Sequence, residues 1–178
     1  MKILLIVTGS ISAYKAPNIA NGLRNSGNEV KVVLTDSAQK FITKLSFSSQ
    51  GFETYTDKDD WNYKGVLHID LKDWADWALV APCTANTLAK IANGIADNLA
   101  SSILRARYEK NVFSLAMNTD MYENPVTEEH IMRIRERSLG NYFIQPESKK
   151  LACGVDGIGA LPSTRTIVSY VNDLGSPK

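Results

Sequence analysis

Four stretches of this chain combine small residues with hydrogen-bonding side chains in patterns that suit ligand chemistry. Gly9-Ser10, placed just before a helix-forming stretch, offers backbone N–H groups, a hydroxyl and the positive end of a helix dipole, which suits a phosphate. A plain serine-capped turn explains the same residues equally well. The spacing G-x-G-x-x-G is absent, so a dinucleotide in the usual pose is not indicated. Thr84-Ala85-Asn86-Thr87 carries three hydrogen-bonding side chains where capping a helix needs one. The surplus suits a flat, heteroatom-rich ligand such as a flavin or a nucleotide phosphate. Thr35-Asp36-Ser37 again offers caps, and Met117-Asn118-Thr119-Asp120-Met121 pairs an amide with apolar side chains that could hold a polar substrate group against an apolar surface.

Fewer residues suit bond chemistry. His68 is of the residue type that most often exchanges protons in catalysis, although an isolated histidine is more often structural. Cys153 lies in a glycine-rich segment, where a thiol would be mobile and accessible. Cys83, beside an apolar run, reads as a small buried residue. Asp97-Asn98 interrupts a stretch rich in Ala, Ile and Leu and reads either as a helix break or as an interface or cofactor contact. No Ser/His/Asp triad or carboxylate pair stands out, and the two cysteines and two histidines show no metal-ligand spacing. Hydrolase chemistry and a metal site have little support.

The elements that must position these residues alternate. Strand-length apolar runs, Ile3–Val7, Val30–Leu34, 78–81, 112–116 and 142–144, are separated by helix-period stretches at 13–25, 84–106, 128–137 and 163–174. Residues 50–67 read as an irregular polar excursion, and 147–162 as a glycine-rich loop closed by Pro162. The pattern predicts an α/β fold: one domain over residues 1–178, a three-layer, Rossmann-like or flavodoxin-like parallel sheet with helices on both faces. Ligands in such folds bind beyond the carboxyl ends of the strands, so the four stretches should converge on one edge.

Length and composition agree. The chain has 178 residues, 44% hydrophobic and 22% charged, which fits one globular domain. Twenty basic against nineteen acidic side chains leave a charge of +1, which disfavours a protein that grips nucleic acid or an anionic membrane. No apolar run reaches the ~18 residues of a membrane span, and the expected location is the cytoplasm.

Taken together, Thr8-Gly9-Ser10-Ile11-Ser12-Ala13-Tyr14-Lys15, His68-Ile69-Asp70-Leu71, Pro82-Cys83-Thr84-Ala85-Asn86-Thr87, Gly94-Ile95-Ala96-Asp97-Asn98, Ala116-Met117-Asn118 and Leu151-Ala152-Cys153-Gly154 resemble the homo-oligomeric, FMN-containing cysteine decarboxylases over nearly the whole chain. The resemblance is nearest to the branch that serves coenzyme A biosynthesis. It implies FMN held by Gly9, Ser10, Ile11, Thr35, Asp36 and Ser37 at its phosphate and ribityl end. Thr84, Ala85, Asn86, Thr87 and Met117 would contact the flavin. It implies His68 and Cys153 as catalytic residues. Asn118 and Met121 would hold the substrate, and Lys150, Leu151 and Ala152 would lie in a flap spanning about 147–162. The implied reaction is decarboxylation of 4′-phosphopantothenoylcysteine to 4′-phosphopantetheine through thioaldehyde and enethiol intermediates. The alternative is a peptidyl-cysteine decarboxylase that oxidatively tailors the C-terminus of a ribosomal peptide. Implied partners are further copies of the chain, as a homotrimer or a dodecamer of trimers, and a separate synthetase supplying the substrate. Leu115 and Val155 depart from the branch pattern, which has a proline and an aspartate there.

Overall fold

The computed structural model describes residues 1–107, 109–150, 154 and 156–175. Six strands form one parallel sheet: β1 (Lys2–Val7), β2 (Glu29–Leu34), β3 (Glu53–Thr56), β4 (Trp77–Cys83), β5 (Asn111–Leu115) and β6 (Asn141–Ile144). Their order is β3-β2-β1-β4-β5-β6. The chain winds outward from β1 to β3, returns to pair β4 with the other side of β1, and winds outward again. The switch point therefore lies between β1 and β4, where the turns after these strands diverge and leave a crevice.

Alternation along the strands builds two cores. Ile3, Leu5 and Val7 face α1 (Ala16–Asn25) and the C-terminal helix Thr164–Leu174, with Ile19, Leu23, Ile167 and Val171. Leu4 and Ile6 face the opposite layer, with Leu67, Leu71, Leu88, Ile103, Ile131 and Ile134. In chain order the remaining helices are α2 (Leu45–Ser48), α3 (Asp57–Asn62), α4 (Leu67–Trp74), α5 (Ala85–Asn93), α6 (Leu99–Ala106), α7 (Thr119–Glu123) and α8 (Pro125–Arg137), which makes the C-terminal helix α9. A 3₁₀ turn, Ile11–Lys15, precedes α1. No helix among the described residues is long and apolar enough to cross a membrane.

The expected three layers and parallel sheet are present, with three differences. The polar segment 50–67 holds β3 and α3. β3 is an edge strand, Glu53-Thr54-Tyr55-Thr56, whose polar composition hides its pairing with β2. Thr56 and Asp59 then form a reciprocal capping box that starts α3. The glycine-rich segment likewise holds an antiparallel hairpin, β7 (Glu147–Lys150) against β8 (Asp156–Ala160). The strand expected to end at Pro82 runs through it to Cys83, with a register shift against β5 between Val80 and Cys83. An irregularity of this kind tolerates a proline, which cannot donate to the ladder.

Leu5 is fully buried in the central strand. Leu5→Ala is expected to lower unfolding free energy by about 2–5 kcal/mol, read from the urea midpoint at unchanged m-value.

Candidate functional site

The turns after β1, β2 and β4 are stitched together by side chains. The buried Thr8 hydroxyl donates to the Pro82 carbonyl at 2.7 Å and accepts the Thr84 N–H at 3.2 Å, which closes the switch point at its base. Gly9 follows and lies so close to Ser37 that an added Cβ would fall 2.4 Å from the Ser37 Cβ. This close approach gives Gly9 its residue type. The Thr35 hydroxyl accepts the Ala38 N–H at 3.2 Å and shapes the β2 turn.

On the other side, Thr84 is the N-cap of α5 and accepts the Thr87 N–H. Asn98 caps α6, accepting the Ser101 N–H at 2.8 Å, while the Ser101 hydroxyl accepts the Asn98 N–H at 3.0 Å. Asp97-Asn98 is thus a helix break with a built cap, and Asp97 is held by Lys90 at 2.7 Å. Asp57, which sequence reasoning passed over, ties the two sides. Its carboxylate accepts the Leu99 N–H at 2.8 Å and the backbone N–H of Asp36. Burial pushes the Asp57 carboxyl upward from the usual range, against the pull of these N–H donors.

Between these turns lies a cleft of about 450 Å³. Thr35, Ser37, Thr84, Asn86, Thr87, Asn98 and Ser101 give it hydroxyls and amides; Ala85, Ala100, Ala116, Met117 and Met121 give it an apolar wall. A volume in the usual ligand range, with apolar contact area and a few polar groups, fits a flat amphipathic molecule. The donor set fits FMN: an apolar wall for a ring system, and Gly9, Thr35 and Ser37 near a polyol or phosphate end.

Two hollows flank this cleft. One, of about 580 Å³, contains His68 from the first turn of α4 together with Asp36, Asp57, Asp60 and Trp61, and shares Thr35, Ser37 and Asn98 with the central cleft. The other, of about 520 Å³, contains Ile11, Lys15, Asn118 and Lys150 and shares Met117. One copy therefore places His68 and Asn118 on opposite flanks. Ser10 accepts the Ser12 N–H as the cap of the 3₁₀ turn. Leu151, Ala152 and Cys153 lie outside the described residues. Cys83 is fully buried, as its neighbours predicted, and burial pushes its thiol up.

The hairpin is seated on the β5 turn by close packing. Met117 N–H donates to the Gly159 carbonyl at 3.0 Å. Gly159 has φ +148°, and a Cβ there would meet the Met117 carbonyl oxygen at 2.1 Å; one on Gly157 would meet the Thr119 hydroxyl at 2.3 Å. These glycines serve contact, where sequence reasoning expected mobility.

The family described as Flavoprotein matches residues 1–175, and the chain belongs to it. Among named relatives it is 44% identical to a phosphopantothenoylcysteine decarboxylase of Arabidopsis thaliana, over 96% of this chain and 83% of that protein. It is 41% identical, over 96% of its length, to a longer "Probable thymidylate synthase" of Schizosaccharomyces pombe, of which it spans 29%. A PPC decarboxylase mutant complexed with pantothenoylaminoethenethiol superposes with TM-score 0.90 at 41% identity, covering 98% of this chain and 97% of the other. The FMN binding protein AtHal3 superposes with TM-score 0.87 at 39% identity, covering 99% and 98%.

Gly9→Ala is expected to force the β1 and β2 turns apart and cost about 1–3 kcal/mol, with most of the loss recovered in Gly9→Ala/Ser37→Gly. Denaturant melts of the single and double variants check it.

Proposed function

We propose that this chain is an FMN-dependent decarboxylase of 4′-phosphopantothenoylcysteine, producing 4′-phosphopantetheine for coenzyme A biosynthesis. The observation that carries the reading is the cleft at the β1/β4 switch point, flanked by His68 and Asn118. Its likeness to the phosphopantothenoylcysteine decarboxylases supports the substrate.

The residues take roles by position. Gly9, Ser10, Ile11, Thr35, Asp36 and Ser37 hold the phosphate and ribityl end of FMN; Thr84, Ala85, Asn86, Thr87 and Met117 hold the ring system. Bound FMN supplies two-electron oxidation of the substrate's CH₂–SH carbon and later returns the same two electrons. The carboxylate of a cysteine unit resists loss of carbon dioxide because the electron pair left behind has no sink. A thiocarbonyl beta to the carboxylate provides one. His68 takes or gives a proton at the thiol end and orients it. Asn118 fixes the carboxylate and adjacent amide, and its own placement comes from capping α7, where its side chain accepts the Asp120 N–H. Met121 covers the bound molecule. Lys150, Leu151 and Ala152 form part of a flap over 147–162, and Cys153 within it gives a proton to the enethiol.

His68 and Asn118 open into separate hollows of one copy, and Met121 and Ile11 are exposed beside the cleft. This supports a homotrimer or larger assembly, including a dodecamer of trimers, in which neighbouring copies complete each site. A separate synthetase supplies the substrate in the cytoplasm. A peptide C-terminus is the competing substrate. The matched decarboxylase mutant is complexed with pantothenoylaminoethenethiol, which favours a pantothenoyl compound over a peptide.

Mass spectrometry after incubation with 4′-phosphopantothenoylcysteine tests the reading. The expected product is lighter by carbon dioxide alone. A product lighter by carbon dioxide and two hydrogens would move the peptide-tailoring reading ahead, and unchanged substrate would refute the assignment. Cys153→Ser is expected to decarboxylate and stop at the enethiol. His68→Asn is expected to lower kcat by about 10²–10⁴-fold while retaining flavin.

A further inference from the structure

The hollow on the Asn118 side carries a net positive charge. Lys15, Lys149 and Lys150 line it, with Ile11, Ser12, Tyr14, Gly159 and Ala160, and the Glu147 carboxylate beside it pairs with Lys149. The hollow on the His68 side is its electrostatic opposite, lined by Asp36, Asp57, Asp60 and Asp97. A molecule spanning the region meets a field that drives a negative end toward the lysines.

Two of these ammonium groups are held in place. Lys15 donates to the Leu161 carbonyl at 3.3 Å, and Lys149 pairs with Glu147 at 2.5 Å. Glu147 is itself fixed by accepting the Ser163 N–H at 3.0 Å. Lys15 comes from the end of the 3₁₀ turn after β1, whereas Lys149 and Lys150 come from β7, so two distant segments converge on one space. Burial, and then the nearby Lys149, pull the Lys15 amine below its usual range. A bound anion relieves that repulsion.

We propose that Lys15, Lys149 and Lys150 form the subsite for the phosphate at the far end of the substrate, with Asn118 in the same hollow taking the cysteine end. The proposal rests on the decarboxylase reading above and deepens it: the lysines make the enzyme selective for the phosphorylated compound. The hollow shares Met117 with the central cleft, and Ile11 in its lining lies two residues beyond Gly9, so the test compares FMN with riboflavin to tell the two phosphates apart.

The test uses the flavin-loaded protein and its Lys15→Gln, Lys150→Gln and doubly substituted variants. The readout is the ratio of kcat/KM for 4′-phosphopantothenoylcysteine to that for the dephosphorylated pantothenoylcysteine. Each substitution is expected to lower this ratio by about tenfold or more, as for loss of a charge-assisted hydrogen bond. Lys15→Arg and Lys150→Arg are expected to retain most of it, and FMN affinity relative to riboflavin should not change. An unchanged ratio overturns the proposal. So does a selective loss of FMN over riboflavin, which would assign the lysines to the cofactor's phosphate. If the unsubstituted protein turns over neither compound, the decarboxylase reading itself fails.

Discussion

Thr8 is 1% exposed, and its hydroxyl donates to the Pro82 carbonyl and accepts the Thr84 N–H. These bonds join the ends of β1 and β4, adjacent strands whose connections leave in opposite directions. A parallel sheet that reverses its winding opens a crevice there, and a buried hydroxyl must find partners at its base. The Gly9–Ser37 approach sets the other wall of the crevice, since any side chain at position 9 would push the β2 turn away. The width of the cleft, and so what fits it, follows from these neighbouring residues.

The polar residues around the cleft serve two purposes. Thr84 and Asn98 each close a helix N-terminus and each line the cleft. A cap fixes its side chain more firmly than solvent-facing packing does, so the ligand-facing surface inherits the order of the helix ends. Asp57 extends this across the site by accepting N–H groups from the β2 turn and from the start of α6. Its carboxyl is held partly out of water for that purpose, and this explains the upward shift of a group that makes no close ion pair.

The order of strands and helices could be read from the periodicity because both faces of β1, β4 and β5 are buried and their sequences are nearly continuous apolar runs. The same rule hid β3 and β7. Glu53-Thr54-Tyr55-Thr56 is an edge strand, and Glu147-Ser148-Lys149-Lys150 belongs to a hairpin outside the main sheet, so neither needs an apolar run. The polar residues of the central cleft stood out by type, since Thr84, Asn86 and Thr87 exceed what capping requires. What local pattern could not carry was pairing over distance. Nothing near Asp57 in the chain points to Leu99, and nothing near Gly9 points to Ser37. The glycines of the hairpin showed the limit most clearly: Gly157 and Gly159 read as mobility in sequence, yet each admits a close neighbour, Thr119 or Met117.

Charge gives the site a direction that shape alone does not. The central cleft is lined largely by neutral groups, with hydroxyls, amides and apolar side chains, and its one ammonium, Lys90, is paired with Asp97. Neutral walls with hydroxyls and amides accept an uncharged, heteroatom-rich ring system by pairing its polar groups, without burying a charge. The flanks differ sharply, with aspartates around His68 and lysines beyond Asn118. In the reaction proposed, the substrate is negative at both ends, so the acidic flank disfavours either end unless the other finds a stronger partner. The lysines provide that partner for the phosphate, which carries more charge than the carboxylate and so gains more from it. The carboxylate is then left to the neutral amide of Asn118, a weaker partner than a lysine. That arrangement suits a group that must leave as carbon dioxide, because an ammonium beside it would stabilise the charged ground state that the reaction has to give up.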